Sequence, residues 1–195
     1  MVQKKCSMVV FNKMTLIVML IVSITIFSCQ KNGYKTVYYR TGEKFERGKV
    51  INGNREGLWT SWHENGQKLA ERNYAKGEEN GLSMEWFENG QTRSVAKYKK
   101  GKFIDTVKRF FDNGKLNALD YYTSDGVHSG EFTVWHEDGS VSQKGYFNKG
   151  KADGTWKTFF KSGKIKSISY FKDGKEIGEW VTYDEGGNVV KKTQY

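Results

Sequence analysis

The sequence predicts an all-β protein: an elongated, single-layer antiparallel sheet or solenoid of about seven tandem β-hairpin repeats of 24 residues. Glycine and aromatic residues recur at fixed positions of a 24-residue period, which indicates a repeat architecture. Glycine occurs 22 times, too often for long helices. Aromatic residues make up 15% of the chain while mean hydropathy is only −0.71, a combination that favours a thin structure with little interior.

The repeat is clearest in the segment from Gly57 to Gly66, which has related copies along the chain. Residues 33–195 are predicted to form one repeat array, with units that start at residues 33, 57, 81, 105, 130, 154 and 178. The one step of 25 residues is assigned to a longer turn near Tyr122–Gly126.

Each unit carries aromatic residues at set positions. The sixth position holds Tyr38, Trp62, Trp86, Phe110, Trp135, Phe159 and Tyr183, and the eighteenth holds Val50, Tyr74, Tyr98, Tyr122, Phe147, Phe171 and Tyr195. Aromatic residues at the third and sixth positions differ in parity, so a regular strand sends them to opposite faces. Either a bulge lies between these positions or the sheet carries aromatic residues on both faces.

Two kinds of glycine turn alternate along the array. Asn65-Gly66, Asn89-Gly90, Asn113-Gly114 and Asp138-Gly139 are predicted to form type I′ turns with positive φ at both central residues. A second turn, near the twenty-first position, reverses the chain into the next unit. Two strands per unit give up to about 14 strands.

The N-terminal segment predicts an export signal. An apolar run at residues 15–27 follows Lys4, Lys5 and Lys13 and ends at Ser28-Cys29, so residues 1–28 are expected to form a signal helix and residues 29–32 a short tether. The segment Ile26–Cys29 resembles the lipobox of bacterial lipoproteins, and this resemblance implies lipid on Cys29 and a place in the cell envelope, on the periplasmic side or the cell surface. An uncleaved membrane anchor is the alternative.

The chain is basic, with a formal charge of +10, or +7 without the predicted leader. This excess favours acidic proteins, anionic glycans or anionic lipid headgroups as partners, whereas nucleic acid is not expected because arginine is not clustered on one element. Lysines concentrate beside the second turns: Lys76, Lys99, Lys100, Lys102, Lys149, Lys151, Lys172 and Lys175. They form either a binding edge or protection of the sheet against aggregation.

The hairpin unit resembles the variant MORN repeat, and most closely the form found in YwqK-type antitoxins. The resemblance covers residues 33–195, although units one and four lack Trp at the third position (Lys35 and Val107). It implies an elongated hairpin sheet that serves as an interaction scaffold, and the antitoxin likeness implies a toxin as partner.

No pattern of catalytic, cofactor-binding or metal-binding residues stands out, and we expect the protein not to be an enzyme. His63 and His136 lie three units apart, about 29 Å by strand spacing, and cannot share a ligand. His128 stands alone in a turn region. Acidic residues before the first turns are interpreted as a solvated rim: Glu64, Glu88, Asp112, Glu137 and Glu185.

The leading hypothesis is a lipid-anchored, non-catalytic scaffold for protein–protein interaction. A toxin-neutralising or immunity protein and a glycan-binding module of the envelope are the alternatives. The residues we expect on a binding surface are Trp59, Trp62, Trp86, Trp135, Trp156, Trp180, Lys100, Lys149 and Lys172, although rings in so thin a sheet also have to supply its core.

Overall fold

The computed structural model describes residues 32–195, which form one open antiparallel sheet of 15 strands. The predicted signal helix, Cys29 and all of the tether except Asn32 lie outside the described residues. None of residues 32–195 forms a helix with the length and apolar character that crossing a membrane requires. The all-β prediction of tandem hairpins in a single sheet is confirmed.

The strands follow the 24-residue period. In chain order they are β1 (Gly33–Tyr38), β2 (Lys44–Ile51), β3 (Asn54–Trp62), β4 (Lys68–Ala75), β5 (Glu78–Trp86), β6 (Thr92–Lys99), β7 (Lys102–Phe110), β8 (Leu116–Tyr122), β9 (Gly130–Trp135), β10 (Val141–Asn148), β11 (Lys151–Ala152), β12 (Gly154–Phe159), β13 (Ile165–Lys172), β14 (Lys175–Tyr183) and β15 (Val189–Gln194).

Apart from β11, which pairs only with β10, each strand pairs with the next along the chain, so the sheet is a continuous meander from β1 to β15. The structure has one strand more than the 14 expected, because β11 and β12 together occupy the place of one strand. Between them, the Asp153 N–H donates to the Tyr146 carbonyl at 3.0 Å and interrupts the ladder. Every other hydrogen-bonded contact is local, as in a repeat array whose units touch only their neighbours.

The predicted type I′ geometry of the Asn-Gly turns is wrong. In the first turns only the glycine has positive φ (83° at Gly66), and Asn65 does not. His63 N–H donates to the Gln67 carbonyl and Gly66 N–H to the His63 carbonyl, which defines a three-residue loop with glycine in the left-handed position. Asn65 is useful here for its side chain, whose Oδ1 accepts the Gln67 N–H at 3.0 Å.

Type I′ geometry occurs instead in the second turns, which have two central residues that both have positive φ. In the turn between β4 and β5, Lys76 has φ of 54° and Gly77 of 88°. The same holds at Asn52-Gly53, Lys100-Gly101, Lys149-Gly150 and Asp173-Gly174. The extra residue of the fourth unit makes its second turn a three-residue loop, closed by Thr123 N–H to the Val127 carbonyl.

Of the two alternatives for the third and sixth positions, the second is realised: the sheet carries aromatic residues on both faces. A register shift follows the fifth position of every hairpin; in the second unit Ser61 pairs with Ala70 and Trp62 with Lys68, so Leu69 is the extra residue. This bulge therefore lies on the second strand, and the first strand alternates regularly from the third to the sixth position. The third-position and sixth-position rings consequently lie on opposite faces.

The core lies on the face of the third and eighteenth positions, which we call the spine face. Its buried apolar residues are Trp59, Ala70, Ala96, Val107, Ala118 and Trp156. Two indoles lie flat on glycine backbone: a Cβ at Gly48 would stand 2.1 Å from Trp59, and one at Gly145 would stand 2.2 Å from Trp156. At these two places, glycine at the sixteenth position lets the tryptophan at the third position of the next unit lie against the backbone.

Candidate binding surfaces

The C-terminal half of the spine face carries an unbroken stack of rings, which we call the aromatic spine. Successive ring centroids lie 3.8–5.8 Å apart. Its members are Tyr98, Phe103, Tyr122, His128, Phe147, Trp156, Phe171, Trp180 and Tyr195. Edge-on and tilted ring pairs at these distances are favourable beyond the area they bury, so the spine serves as the core of this half.

The N-terminal half fills equivalent positions with charged side chains. Arg55 makes a bidentate ion pair with Glu46, at 2.6 and 2.8 Å, and its guanidinium lies 4.2 Å from the centroid of Trp59. Arg72 makes ion pairs with Glu79 and Glu85. Glu46 is only 7% exposed, and Arg55 provides the partner for this buried side chain.

A groove separates these two halves of the spine face. At its floor lie Ser83, Ala96 and Val107, each less than 9% exposed. Ser83 and Val107 stand at the third position, where every other unit except the first has tryptophan or phenylalanine. The small residues leave a volume of about 710 Å³ above them. Rings form its walls: Phe87 and Phe111 towards the first turns, Tyr98 and Phe103 towards the second turns.

The charges of the groove are partly satisfied within the sheet. Glu85 binds Arg72, and Arg109 binds Asp120. Arg93 lies over the Phe87 ring at 5.7 Å. Arg93, Asp112 and Glu137 make no ion pair among residues 32–195, which leaves two acids and one base free at the rim.

Burial first, and the Glu79 carboxylate second, raise the pKa of Tyr98 in the groove wall to about 12. The phenol therefore stays protonated at physiological pH. It remains a neutral hydroxyl that can donate a hydrogen bond to a bound group.

His128 is not isolated, contrary to the sequence interpretation. Its ring stacks between Tyr122 (4.7 Å) and Phe147 (3.8 Å), and its Nε2 lies 3.1 Å from Oδ1 of the buried Asp120. Burial lowers the pKa of His128, and Asp120 opposes part of that effect. The extra residue in the preceding turn has brought a titratable ring into the aromatic spine.

The residues expected on one binding surface occupy three places. Trp59, Trp156 and Trp180 lie on the spine face, where the first two are buried, at 3% and 8% exposure. The sixth-position residues lie on the opposite face: Trp62, Trp86 and Trp135. The lysines Lys100, Lys149 and Lys172 lie at the edge of the second turns. Only part of the set therefore shares any one surface.

Sixth-position rings on the opposite face pack against lysines of the preceding unit. The Lys44 ammonium lies 5.0 Å from the Trp62 centroid, and Lys68 lies 5.6 Å from Trp86. Such cation–π contacts hold neighbouring hairpins together. These tryptophans are half-buried.

The remaining polar candidates have structural partners. Nε2 of His63 and of His136 each lie 3.0 Å from the main-chain carbonyl of the sixth residue in the next unit, Trp86 and Phe159. The first-turn edge is joined by asparagines, as where Asn89 Nδ2 donates to the Asp112 carbonyl at 2.8 Å. Within residues 32–195 no three His, Cys, Asp or Glu side chains come together in a way that could hold a metal ion.

The groove is the feature that sequence reasoning missed. The signal for it is at the third position, where Ser83 and Val107 both lack a ring. Two consecutive units with small third-position residues predict open space on the spine face. The full lining, however, also includes Arg93, the extra residue at the thirteenth position, which belongs to the bulge of the second strand.

The fold and these surfaces define an open-sheet repeat protein of tandem β-hairpins. Four segments, residues 55–76, 129–149, 152–173 and 176–195, match the family model described as "MORN repeat variant". Repeats of this kind generally serve as modules that contact proteins or membranes. No curated protein matches the chain. The gap between the first two matched segments, residues 77–128, contains most of the groove lining.

Proposed function

We propose that the chain is a non-catalytic scaffold that binds a partner protein through the groove on its spine face, while lipid on Cys29 holds it at the bacterial cell envelope. The observation that carries the proposal is the groove beside the start of the ring stack. Elsewhere on this face, rings and ion pairs satisfy one another. Over Ser83 and Val107 they leave an open groove of about 710 Å³.

The groove suits an extended protein segment with an apolar side chain beside a basic one. Phe87, Phe111 and Phe103 offer ring faces and edges to the apolar group. The free carboxylates of Asp112 and Glu137 stand at the rim where a basic neighbour would lie. A central apolar anchor with a polar rim is the common anatomy of protein interfaces.

The anchor would hold the array close to the membrane. The Asn52 N–H donates to Oδ1 of Asn32 at 2.7 Å, so the chain is attached to the sheet from residue 32 onwards. Cys29 stands only three residues earlier, a reach of about 10 Å for extended chain. The second-turn edge, with Lys100 and Lys149, starts at this same attachment point, and its positive charge favours an anionic membrane surface.

The groove is tested by substitutions that fill it with a tryptophan ring. Ala96→Gly with Val107→Trp copies the Gly48–Trp59 pair of an earlier unit, so the sheet is expected to keep its circular dichroism and stability. A photo-crosslinking residue at Phe111 of the full chain should capture a partner from envelope fractions, and the double substitution should abolish that capture. A crosslinker at Lys97, on the opposite face of β6, is the matched control.

Equal capture from both crosslinking positions, or capture that survives the filled groove, would contradict the groove as the protein-binding site. Identification of the captured protein also tests the antitoxin resemblance, because that resemblance predicts a toxin as the crosslinked partner.

The anchor is tested separately by labelling cells with a radioactive fatty acid. The full chain should take up label and sediment with membranes, and Cys29→Ser should lose both properties. Cys6→Ser is the control because that residue lies before the expected cleavage site. Label that persists in the Cys29→Ser chain would refute the lipoprotein proposal and leave the groove experiment unaffected.

A further inference from the structure

The face opposite the spine bears at least one exposed, large apolar residue in each of the first six hairpins. The second and seventeenth residues of a unit pair directly across two strands, and one member of each pair is apolar and at least 38% exposed. The resulting row is Tyr34, Leu58, Leu82, Tyr121, Tyr146 and Tyr170. Long exposed apolar rows are uncommon on proteins that bind nothing there.

The C-terminal half of this row consists of tyrosines. Tyr121, Tyr146 and Tyr170 are 38%, 47% and 38% exposed, and they occupy the same position in three consecutive units. Equivalent positions are two strands apart, about 10 Å at ~4.8 Å per strand. Three rings at a regular interval on one flat face form a platform about 20 Å long.

Beside Tyr146 the sheet places two like charges together. Lys144 and Lys157 are direct cross-strand neighbours on β10 and β12, and Thr133 is the neighbour of Lys144 on the other side. Neither lysine has a carboxylate or a hydrogen-bond partner among residues 32–195. Like charges directly opposite each other destabilise a sheet. The pair therefore weakens the fold unless an anion is shared between the two ammonium groups.

The two lysines, Thr133 and the central Tyr146 line one depression with a volume of about 320 Å³. Thr155 and Glu131 also belong to its lining. Glu131 pairs with Tyr146 and provides a carboxylate that accepts hydrogen bonds from hydroxyl groups. Besides these polar groups, Phe132 lines the depression. The depression therefore offers an anion site and hydroxyl partners beside aromatic rings.

We propose that this face binds an acidic polysaccharide, with sugar rings stacked on Tyr121, Tyr146 and Tyr170 and an anionic substituent held between Lys144 and Lys157. The inference goes beyond the proposed protein-binding function, since it concerns the other face of the sheet and uses none of the groove residues. A chain that binds protein on one face and glycan on the other would link the two.

The experiment measures binding of the full chain to polygalacturonate, to its methyl-esterified neutral form and to a phosphodiester-linked sugar polymer. Polygalacturonate should bind and its neutral form should bind far less; the phosphate polymer decides between carboxylate and phosphate as the preferred anion. Lys144→Gln with Lys157→Gln should weaken binding about tenfold or more. Lys149→Gln with Lys175→Gln removes the same charge at the second-turn edge and should change binding little.

Tyrosine stacking is tested in the same way. Tyr146→Ser should weaken binding about tenfold, whereas Tyr34→Ser, at the far end of the row, should leave it unchanged. Lys157→Glu gives the sharpest result, because it converts a repulsive pair into an attractive one. Its melting temperature should rise while its affinity for the polyanion falls.

Equal weakening by both double lysine substitutions would mean non-specific attraction and would overturn the proposal. So would binding that is insensitive to Tyr146→Ser. Crosslinks from Tyr146 to a protein, with none of the polymers bound, would assign this face to a protein instead.

Discussion

The two halves of the spine face solve one packing problem with different chemistry. In the C-terminal half Phe147, Trp156, Phe171 and Trp180 stack with centroids 5.0–5.8 Å apart. In the N-terminal half, the fourteenth, sixteenth and twenty-third positions hold Glu46, Arg72 and Arg55 in ion pairs.

The difference shows that the repeat requires complementarity between neighbouring units at fixed positions, and not a fixed residue type. Rings stabilise through burial, which is non-directional, whereas buried ion pairs must offset the desolvation of both charges. The groove lies where one solution gives way to the other.

The largest expected effect is the loss of a central ring from the C-terminal half. Trp156→Ala should lower the free energy of unfolding by about 3–5 kcal/mol, because a buried side chain in contact with Phe132, Phe147 and Phe171 leaves a cavity. Urea unfolding followed by circular dichroism measures the change. Trp180→Ala, at a more exposed member of the spine, should cost clearly less; equal losses would show that stack position does not matter.

The glycine beneath the same indole gives the next largest effect. A methyl group at Gly145 would overlap the Trp156 ring, so Gly145→Ala should lower the free energy of unfolding by about 1–3 kcal/mol. Ser169→Ala, at the same position one unit later, should change it by less than about 0.5 kcal/mol. Gly145→Ala with Trp156→Val recreates the Ala96–Val107 pair. This double variant should be more stable than Trp156→Val alone, because the added methyl group no longer meets an indole ring. If the two are equally stable, direct contact is not the cause.

The N-terminal half should respond to single and paired loss of charge in opposite ways. Arg55→Met leaves Glu46 buried without its partner and should lower the free energy of unfolding by about 1–2 kcal/mol, a figure reduced because Arg55 is partly exposed. The double variant Arg55→Met with Glu46→Met should recover most of the loss. Urea unfolding of the native chain, the two single variants and the double variant gives the coupling energy between Arg55 and Glu46. If the effects of the two single substitutions simply add, the two residues are not coupled.

The smallest effect is a pH dependence at the junction, where His128 belongs to the aromatic spine. Burial lowers the pKa of His128 below its usual 6.5, so the unfolded chain takes up a proton at higher pH than the folded chain. Stability contributed by the neutral ring is present above pH 6.5 and is lost as pH falls through that window to the folded-state pKa. Unfolding curves from about pH 7 to about pH 5 should show this loss, and His128→Phe should remove it. A variant that keeps the same pH dependence would assign it to other groups.

The period and residue types of the sequence were enough to predict the fold class, because glycine turns and alternating rings leave few alternatives to stacked hairpins. Turn geometry was predicted wrongly for a physical reason. Asn65 has an amide side chain that hydrogen-bonds across the turn, and this use competes with the left-handed backbone that Asn-Gly also permits. Lys76 takes the left-handed conformation instead, which its residue type does not suggest.

The surfaces were less predictable, because they depend on pairs of residues far apart in the pattern. The buried state of Trp156 requires Gly145 of the preceding hairpin, and the groove requires the small side chain of Val107 together with Ala96. A one-residue bulge at Leu69 and its equivalents decides which rings share a face. Such a bulge shifts every later residue of the strand, and the 24-residue period contains no separate signal for it.

The meander connection of the sheet has a consequence for how such a molecule can change over time. Because each hairpin bonds only to the one before and the one after, duplication or deletion of a whole unit lengthens or shortens the sheet by about 10 Å without remaking any other contact. Insertion between the third and fifth units would move the groove relative to the tyrosines downstream. The distance between the groove and the tyrosines can therefore change during evolution in steps of one hairpin.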